Sequence, residues 1–417
     1  MDKLQVFGKA DLKGFIDIPG AKNSVLPIMA CSILSNKSLH LKNVPNLVDI
    51  KTMQKLLESF GLVFQIHGNS MSLTVDNILN HVADYNLVRK MRASILVLGP
   101  LLSRFKKVKI SLPGGCAIGT RPIDLHLFGL EKLGASFVFE NGYIIGKIKD
   151  KFIANIIELP LASVGATENI MMAAVLAKGK TKIINAAREP EIQDLANCLN
   201  KMGANILGAG KSVIEIEGVS KLNEAEHSII SDRIVAGTYI IASIMLNKDF
   251  VVKNINPEYL KKPIEILIKM GANLDIGDDY IKINSSNLIK GTNIETNPYP
   301  GFPTDLQAQM MTLMSIAEGN SEIKEKIFEN RFSHVSELNR LGADITVKND
   351  TAIINGNRKF KGAQVMASDL RASVSLVLAG LSAQGITTIH RVYHLDRGYE
   401  NIEETLGNCG PKIIRLK

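Results

Sequence analysis

The 417-residue chain has no tryptophan, 5% aromatic residues and only four cysteines. Its lysines and arginines give a net charge of +8, but they are scattered and not interleaved with stacking residues, which argues against nucleic acid as a partner. Cys31, Cys116, Cys198 and Cys409 show neither metal-ligand nor disulfide-framework spacing, as suits a reduced, cytoplasmic compartment. The opening Met-Asp-Lys-Leu-Gln-Val-Phe has no basic segment leading into an apolar run, so no signal peptide is expected. The longest uncharged stretch, residues 372–390, is broken by serines, threonines, Gln384 and glycines; it reads as a buried helix and a strand, not a membrane span. What remains is an ordinary globular composition, 46% apolar and 22% charged, in a chain long enough for two domains. Anionic small substrates would explain the positive balance at least as well as nucleic acid.

A hydrophobic-Gly dipeptide closes a helical pattern six times, at Gly61, Gly134, Gly203, Gly271, Gly342 and Gly410. Subtracting successive positions gives 73, 69, 68, 71 and 68 residues, a period too long for a solenoid and suited to two domains of three units. The glycines read as C′ stops, where a left-handed residue ends a helix. After most of them comes a β-hairpin; the clearest runs from Phe137 to Ile145 around an Asn141-Gly142 type I′ turn. Two helices precede each glycine, so the unit reads strand-helix-strand-helix-strand-strand. The last unit lacks one hairpin strand, and residues 4–7 could supply it. This places residues 1–21 with 230–417 in a discontinuous C-terminal domain, and residues 22–229 in an N-terminal domain.

The repeat also collects charge. Lys22, Arg92, Ser163, Arg233, Asp305 and Arg371 occupy first-helix openings, 39, 42, 40, 38, 37 and 39 residues before the terminal glycines. Arg121, Arg331 and Arg397 occupy second-helix openings, 13, 11 and 13 residues before them. Asp305 and Asp369 are also ordinary helix-start residues. Cations at helix starts oppose the macrodipole, and an anionic ligand would offset that cost. Parallel helices would gather these ends on one face of each domain, and two such faces would form an anion-binding cleft. One loop, Leu112-Pro-Gly-Gly-Cys-Ala-Ile-Gly-Thr-Arg-Pro122, sets Cys116 among glycines and just before Arg121. It reads either as a mobile catalytic thiol favoured by nearby positive charge, or as a surface turn.

Ile18-Pro-Gly-Ala-Lys-Asn-Ser24, the Cys116 loop, Pro303-Thr-Asp-Leu-Gln-Ala-Gln309, Phe328-Glu-Asn-Arg-Phe332 and Asp396-Arg-Gly-Tyr-Glu400 resemble the UDP-N-acetylglucosamine 1-carboxyvinyltransferase family. The resemblance covers essentially the whole chain. It implies an inside-out α/β barrel of two domains, each of three βαβαββ repeats, with the ligand cleft between them. It also implies transfer of the enolpyruvyl group of phosphoenolpyruvate to the 3-hydroxyl of UDP-N-acetylglucosamine, with no cofactor, metal, membrane or nucleic-acid partner. By resemblance Cys116 and Asp305 are catalytic, and Lys22, Asn23, Arg121 and Arg397 bind phosphoenolpyruvate. Asn23, Arg92, Arg121, Pro122, Ile123, Asp124, Leu125, Ser163, Val164, Gly165, Asp305 and Ile327 would hold the nucleotide sugar, with Arg331, Asp369 and Arg371 in support. Fosfomycin alkylates the matching cysteine in that family. The family commonly carries a lysine where this chain has Leu161, so a cation near the diphosphate is expected to be missing. Two other readings are a 5-enolpyruvylshikimate-3-phosphate synthase-like transferase and an inert nucleotide-sugar binding protein.

Overall fold

The computed structural model describes residues 2–75, 80–112, 123–286 and 288–417. Their strands form six four-stranded sheets. The third unit shows the common plan. Strand Ile156–Glu158 runs parallel to Lys180–Ile184, linked through the helix Val164–Ala174. The helix Pro190–Lys201 then leads into an antiparallel hairpin, Asn205–Leu207 with Val213–Glu217, whose second strand pairs with Lys180–Ile184. A parallel pair needs a crossover and an antiparallel pair only a turn, which accounts for the helix positions.

The two helix classes differ as their sequences require. The crossover helix Arg233–Leu246 is apolar on every side and almost wholly buried. Helix Val48–Ser59 is amphipathic, burying Ile50, Met53, Leu56 and Leu57 along one face. In the C-terminal half, Arg233–Leu246, Gln307–Ile316 and Leu370–Ser382 pack against one another, so crossover helices form the interior and sheets the outside.

All six terminal glycines have positive φ, between 100° and 110°. Each donates its N–H to the carbonyl three residues back, at 2.9–3.0 Å. Asn141 and Gly142 also have positive φ, 50° and 78°, as a type I′ turn requires. Strand Lys3–Phe7 enters the last sheet between Ile386–His390 and Ile413–Leu416, antiparallel to both.

A further repeat feature has no glycine in it. Asn43, Asn185 and Asn254 each follow the second strand of a unit with φ near +57°. Their side chains donate to the carbonyls of Ile229, Leu159 and Ile18, at 3.0, 2.9 and 2.7 Å, each one residue beyond the first strand of that sheet. Asparagine suits the position because it tolerates left-handed backbone and carries a donor.

The described residues divide into two units, one of residues 2–19 with 231–417 and one within 20–230. Each has its own hydrophobic core, Val25 to Ile229 in one, and Leu4 to Ile18 with Ile234 to Cys409 in the other. The strands next to the crossings are exchanged. Ala225–Ser228 pairs with Leu39–Lys42 in the continuous unit, and Phe15–Asp17 pairs with Phe250–Lys253 in the discontinuous one. Gly20 is sterically required at the first crossing, since a Cβ there would lie 1.8 Å from the Asn43 carbonyl oxygen.

Candidate active site

In the continuous unit, Lys22 is the first residue of helix Lys22–Cys31 and is buried. Its Nζ lies 3.3 Å from Asp49 Oδ2, in the first turn of Val48–Ser59 and also buried. Asn23 beside it is half-buried. Arg92 opens the 3-10 turn Arg92–Val97. Ile123 is the half-buried N-cap of helix Asp124–Lys132, Asp124 is exposed and Leu125 half-buried. Ser163 caps Val164–Ala174, its hydroxyl accepting from Ala166 N at 3.4 Å, with Val164 and Gly165 in the first turn. Leu161 is exposed just before it. Cys116, Arg121 and Pro122 lie outside the described residues.

Two buried groups here went unnoticed in the sequence. Asn169 Oδ1 accepts from Gly99 N at 2.8 Å, so its Nδ2 is the donor, to Ile95 O at 2.9 Å and to His126 Nδ1 at 2.8 Å. Neutral His126 therefore carries its proton on Nε2. That edge faces Gly165, where a Cβ would lie 2.9 Å from Cε1 and 3.2 Å from Nε2. Burial, with the Arg92 charge added, lowers the His126 pKa to about 4. The second group is Glu168, whose carboxyl is pushed well above the usual range by burial and then by Glu191 and Glu189. His126 directly follows Leu125, and Glu168 is the one acid in an otherwise uncharged helix; both signals were available.

In the discontinuous unit the centre is Asp305. It sits in the 3-10 turn Thr304–Leu306, ahead of Gln307–Ile316. Arg331 Nη2 donates to its Oδ1 at 2.9 Å and Arg371 Nη2 to its Oδ2 at 3.1 Å. Both arginines are 4% exposed or less, and Asp305 is partly exposed. Burial works against the Arg371 charge, but Asp305 and further neighbours outweigh it and raise its pKa. Asp369 is the N-cap of Leu370–Ser382, accepting from Arg371 N at 2.9 Å and Ala372 N at 3.1 Å. Ile327 is half-buried, in the turn after strand Asn320–Lys324. Buried His334 lies near Arg331 and Asp369, and burial lowers its pKa to about 4.

Two placements correct the sequence reading. Arg331 lies in a turn four residues before helix Val335–Arg340, and Arg397 ends the 3-10 turn Val392–Arg397 ahead of Ile402–Gly407. Neither opens an α-helix; intervening turns shift them off the helix starts. Lys22, Arg233 and Arg371 do sit in α-helical first turns that carry no acid of their own. The unfavourable macrodipole term there, about 0.3–1 kcal/mol each, is countered within the protein. Asp49 faces Lys22, Asp305 faces Arg371, and the Arg233 guanidinium stacks 5.5 Å over the Tyr299 ring. A ligand is therefore not required to explain these cations.

A family model for EPSP synthase (3-phosphoshikimate 1-carboxyvinyltransferase) matches residues 6–406. The chain is 52% identical to UDP-N-acetylglucosamine 1-carboxyvinyltransferase of Rickettsia bellii over 420 residues, covering all of both chains. It is 51% identical to the protein of that name from Pelagibacter ubique, again over both full lengths. The crystal structure of the enolpyruvyl transferase NikO from Streptomyces tendae superposes with a TM-score of 0.90 at 22% identity, over 100% of this chain and 99% of that one. The fold, two sets of three βαβαββ units with helices inside, is that of the enolpyruvyl transferases. Within that class the chain belongs to the UDP-N-acetylglucosamine 1-carboxyvinyltransferase family, and it is a transferase. Among the described residues no helix is long and apolar enough to cross a membrane.

Proposed function

We propose that this chain transfers the enolpyruvyl group of phosphoenolpyruvate to the 3-hydroxyl of UDP-N-acetylglucosamine, releasing phosphate, in the first committed step of peptidoglycan synthesis. The observation that carries this is the full-length identity of 52% to a protein named for that reaction. The family model alone, named for 3-phosphoshikimate, would favour the shikimate acceptor. Both substrates are small, charged and water-borne, and we place the activity in the cytoplasm.

The hydroxyl oxygen adds to C2 of phosphoenolpyruvate while C3 gains a proton. The adduct then loses phosphate from C2 and a proton from C3, restoring the double bond. In our reading Cys116 delivers the C3 proton and Asp305 receives the hydroxyl proton. The two guanidinium groups on separate oxygens of Asp305 support this by fixing the carboxylate plane, so positioning counts for more than basicity. Asn23 orients the sugar. Lys22, Arg121 and Arg397 take the carboxylate and phosphate of phosphoenolpyruvate, and paired guanidinium hydrogen bonds suit both groups.

Arg92, Arg121, Pro122, Ile123, Asp124, Leu125 and Ile327 hold the nucleotide in this scheme. The diphosphate meets Ser163, Val164 and Gly165, where a helix start offers N–H groups without intrahelical partners. The Nε2–H of His126 beside Gly165 adds a donor, which compensates in part for Leu161. Arg331 and Arg371 hold Asp305 in place, and Asp369 caps the helix that carries Arg371. The test is phosphate release with each acceptor in turn. We expect release with phosphoenolpyruvate and UDP-N-acetylglucosamine; release with shikimate 3-phosphate instead, or with neither, overturns the reading.

A further inference from the structure

Glu325 follows strand Asn320–Lys324 and is 4% exposed. Four donors surround its carboxylate. Thr296 Oγ1 donates to Oε1 at 2.8 Å, Ile327 N at 2.9 Å and Phe328 N at 3.2 Å. Thr304 Oγ1 donates to Oε2 at 2.9 Å. Thr304 directly precedes Asp305, and its carbonyl accepts from Arg331 Nη2 at 3.4 Å. One buried side chain thus ties the turn carrying Asp305 to the backbone carrying Ile327.

The repeat shows what this position needs for folding alone. Glu325 stands one residue past the second strand, where three other units have Asn43, Asn185 and Asn254, but without their left-handed backbone. There an amide donates to the carbonyl one residue past the first strand. Thr296 is the corresponding residue of the fifth unit, one past strand Asn293–Glu295. In this unit the polarity is reversed: a carboxylate accepts from the threonine hydroxyl, and that hydroxyl accepts from Lys326 N at 2.9 Å. Closing the two strands accounts for one of the four donors on Glu325. The other three belong to the segments bearing Asp305 and Ile327, and the Glu325 carboxylate reaches both at once.

We infer that Glu325 is a positioning residue for the transferase reaction, holding the Thr304–Asp305 turn and the Ile327–Phe328 segment as one body. It does not touch the reacting atoms; it acts through Thr304 on the proton acceptor and through two backbone N–H groups on the nucleotide contact. The inference rests on the roles given above to Asp305 and Ile327.

The test uses the full chain, kinetics of phosphate release with phosphoenolpyruvate and UDP-N-acetylglucosamine, and thermal melting. Glu325→Asn shortens the side chain by one carbon and exchanges the carboxylate for an amide. It is expected to fold, with kcat lowered about tenfold or more and KM for the nucleotide sugar raised. Thr304→Val removes only the arm toward Asp305, and is expected to lower kcat while KM for the nucleotide sugar stays within about twofold. A folded Glu325→Asn variant with kcat and KM within about twofold of the parent overturns the inference. If that variant does not fold, Thr304→Val decides: an unchanged kcat overturns it, and a lowered kcat at constant KM supports it. A parent chain that releases no phosphate overturns the reading of the activity itself, an outcome distinct from an active parent with unaffected variants.

Discussion

Lys22 and Asp49 pair at 3.3 Å between the starts of two helices, and both are almost completely out of solvent. Lys22 is one of the helix-start cations for which the sequence suggested an anionic ligand, yet an acid faces it within the protein. In the proposed reaction a substrate anion at Lys22 would share the ammonium with Asp49, which faces it at 3.3 Å.

Removing one partner of such a pair leaves a buried charge. Asp49→Ala is expected to destabilise the chain by about 3 kcal/mol, the lower end for a broken buried pair because Lys22 has further interactions. Lys22→Met with Asp49→Ala should recover part of that stability while abolishing phosphate release. Melting of the two single variants and the double variant measures the coupling; additive losses would show that the pair contributes nothing of its own.

The buried histidines make stability depend on pH in a defined direction. His126 and His334 have folded-state pKa values lowered to about 4, against an ordinary value of 6.5. Below 6.5 the unfolded chain binds a proton at each that the folded chain refuses, so stability falls as pH drops from 6.5 toward 4. For His126 the loss is on the order of 3 kcal/mol by pH 4. His126→Asn keeps an acceptor for Asn169, and its melting temperature should change less than the parent's between pH 6.5 and 4.5. Parallel curves for the two proteins would refute a buried neutral His126.

Replacements at Cys116 separate an acid from a mere turn residue. Cys116→Ser is expected to lower kcat by about 10²–10⁴-fold, and Cys116→Asp, which keeps a proton donor, by less. Fosfomycin should inactivate the parent and leave the Asp variant unaffected. Equal losses in both variants, or a parent untouched by prolonged excess drug, would remove the acid role.

Much of the architecture was legible because it repeats. The terminal glycines could be read as helix stops since only glycine takes φ near 105° cheaply, and six copies at one spacing leave little room for chance. The vacancy in the sixth sheet and its occupant, expected at residues 4–7 and found at Lys3–Phe7, followed from counting strands. The asparagine after the second strand also repeats, at Asn43, Asn185 and Asn254, but its partner is a backbone carbonyl far away in sequence. Arg331 and Arg397 were misplaced because short 3-10 and irregular turns intervene, and such turns leave no periodic trace.

By itself, the sequence determined the six-unit plan, the family, and the glycine stops that close the units. These depend on local backbone preferences and on spacing, both written along the chain. Only the tertiary structure decided which charges meet. Asp305 receives Arg331 and Arg371 from 26 and 66 residues away, and Lys22 finds Asp49 at 27. Helix starts disfavour isolated cations and buried carboxylates require donors, but many pairings would satisfy those rules. The packing of the helices selects one.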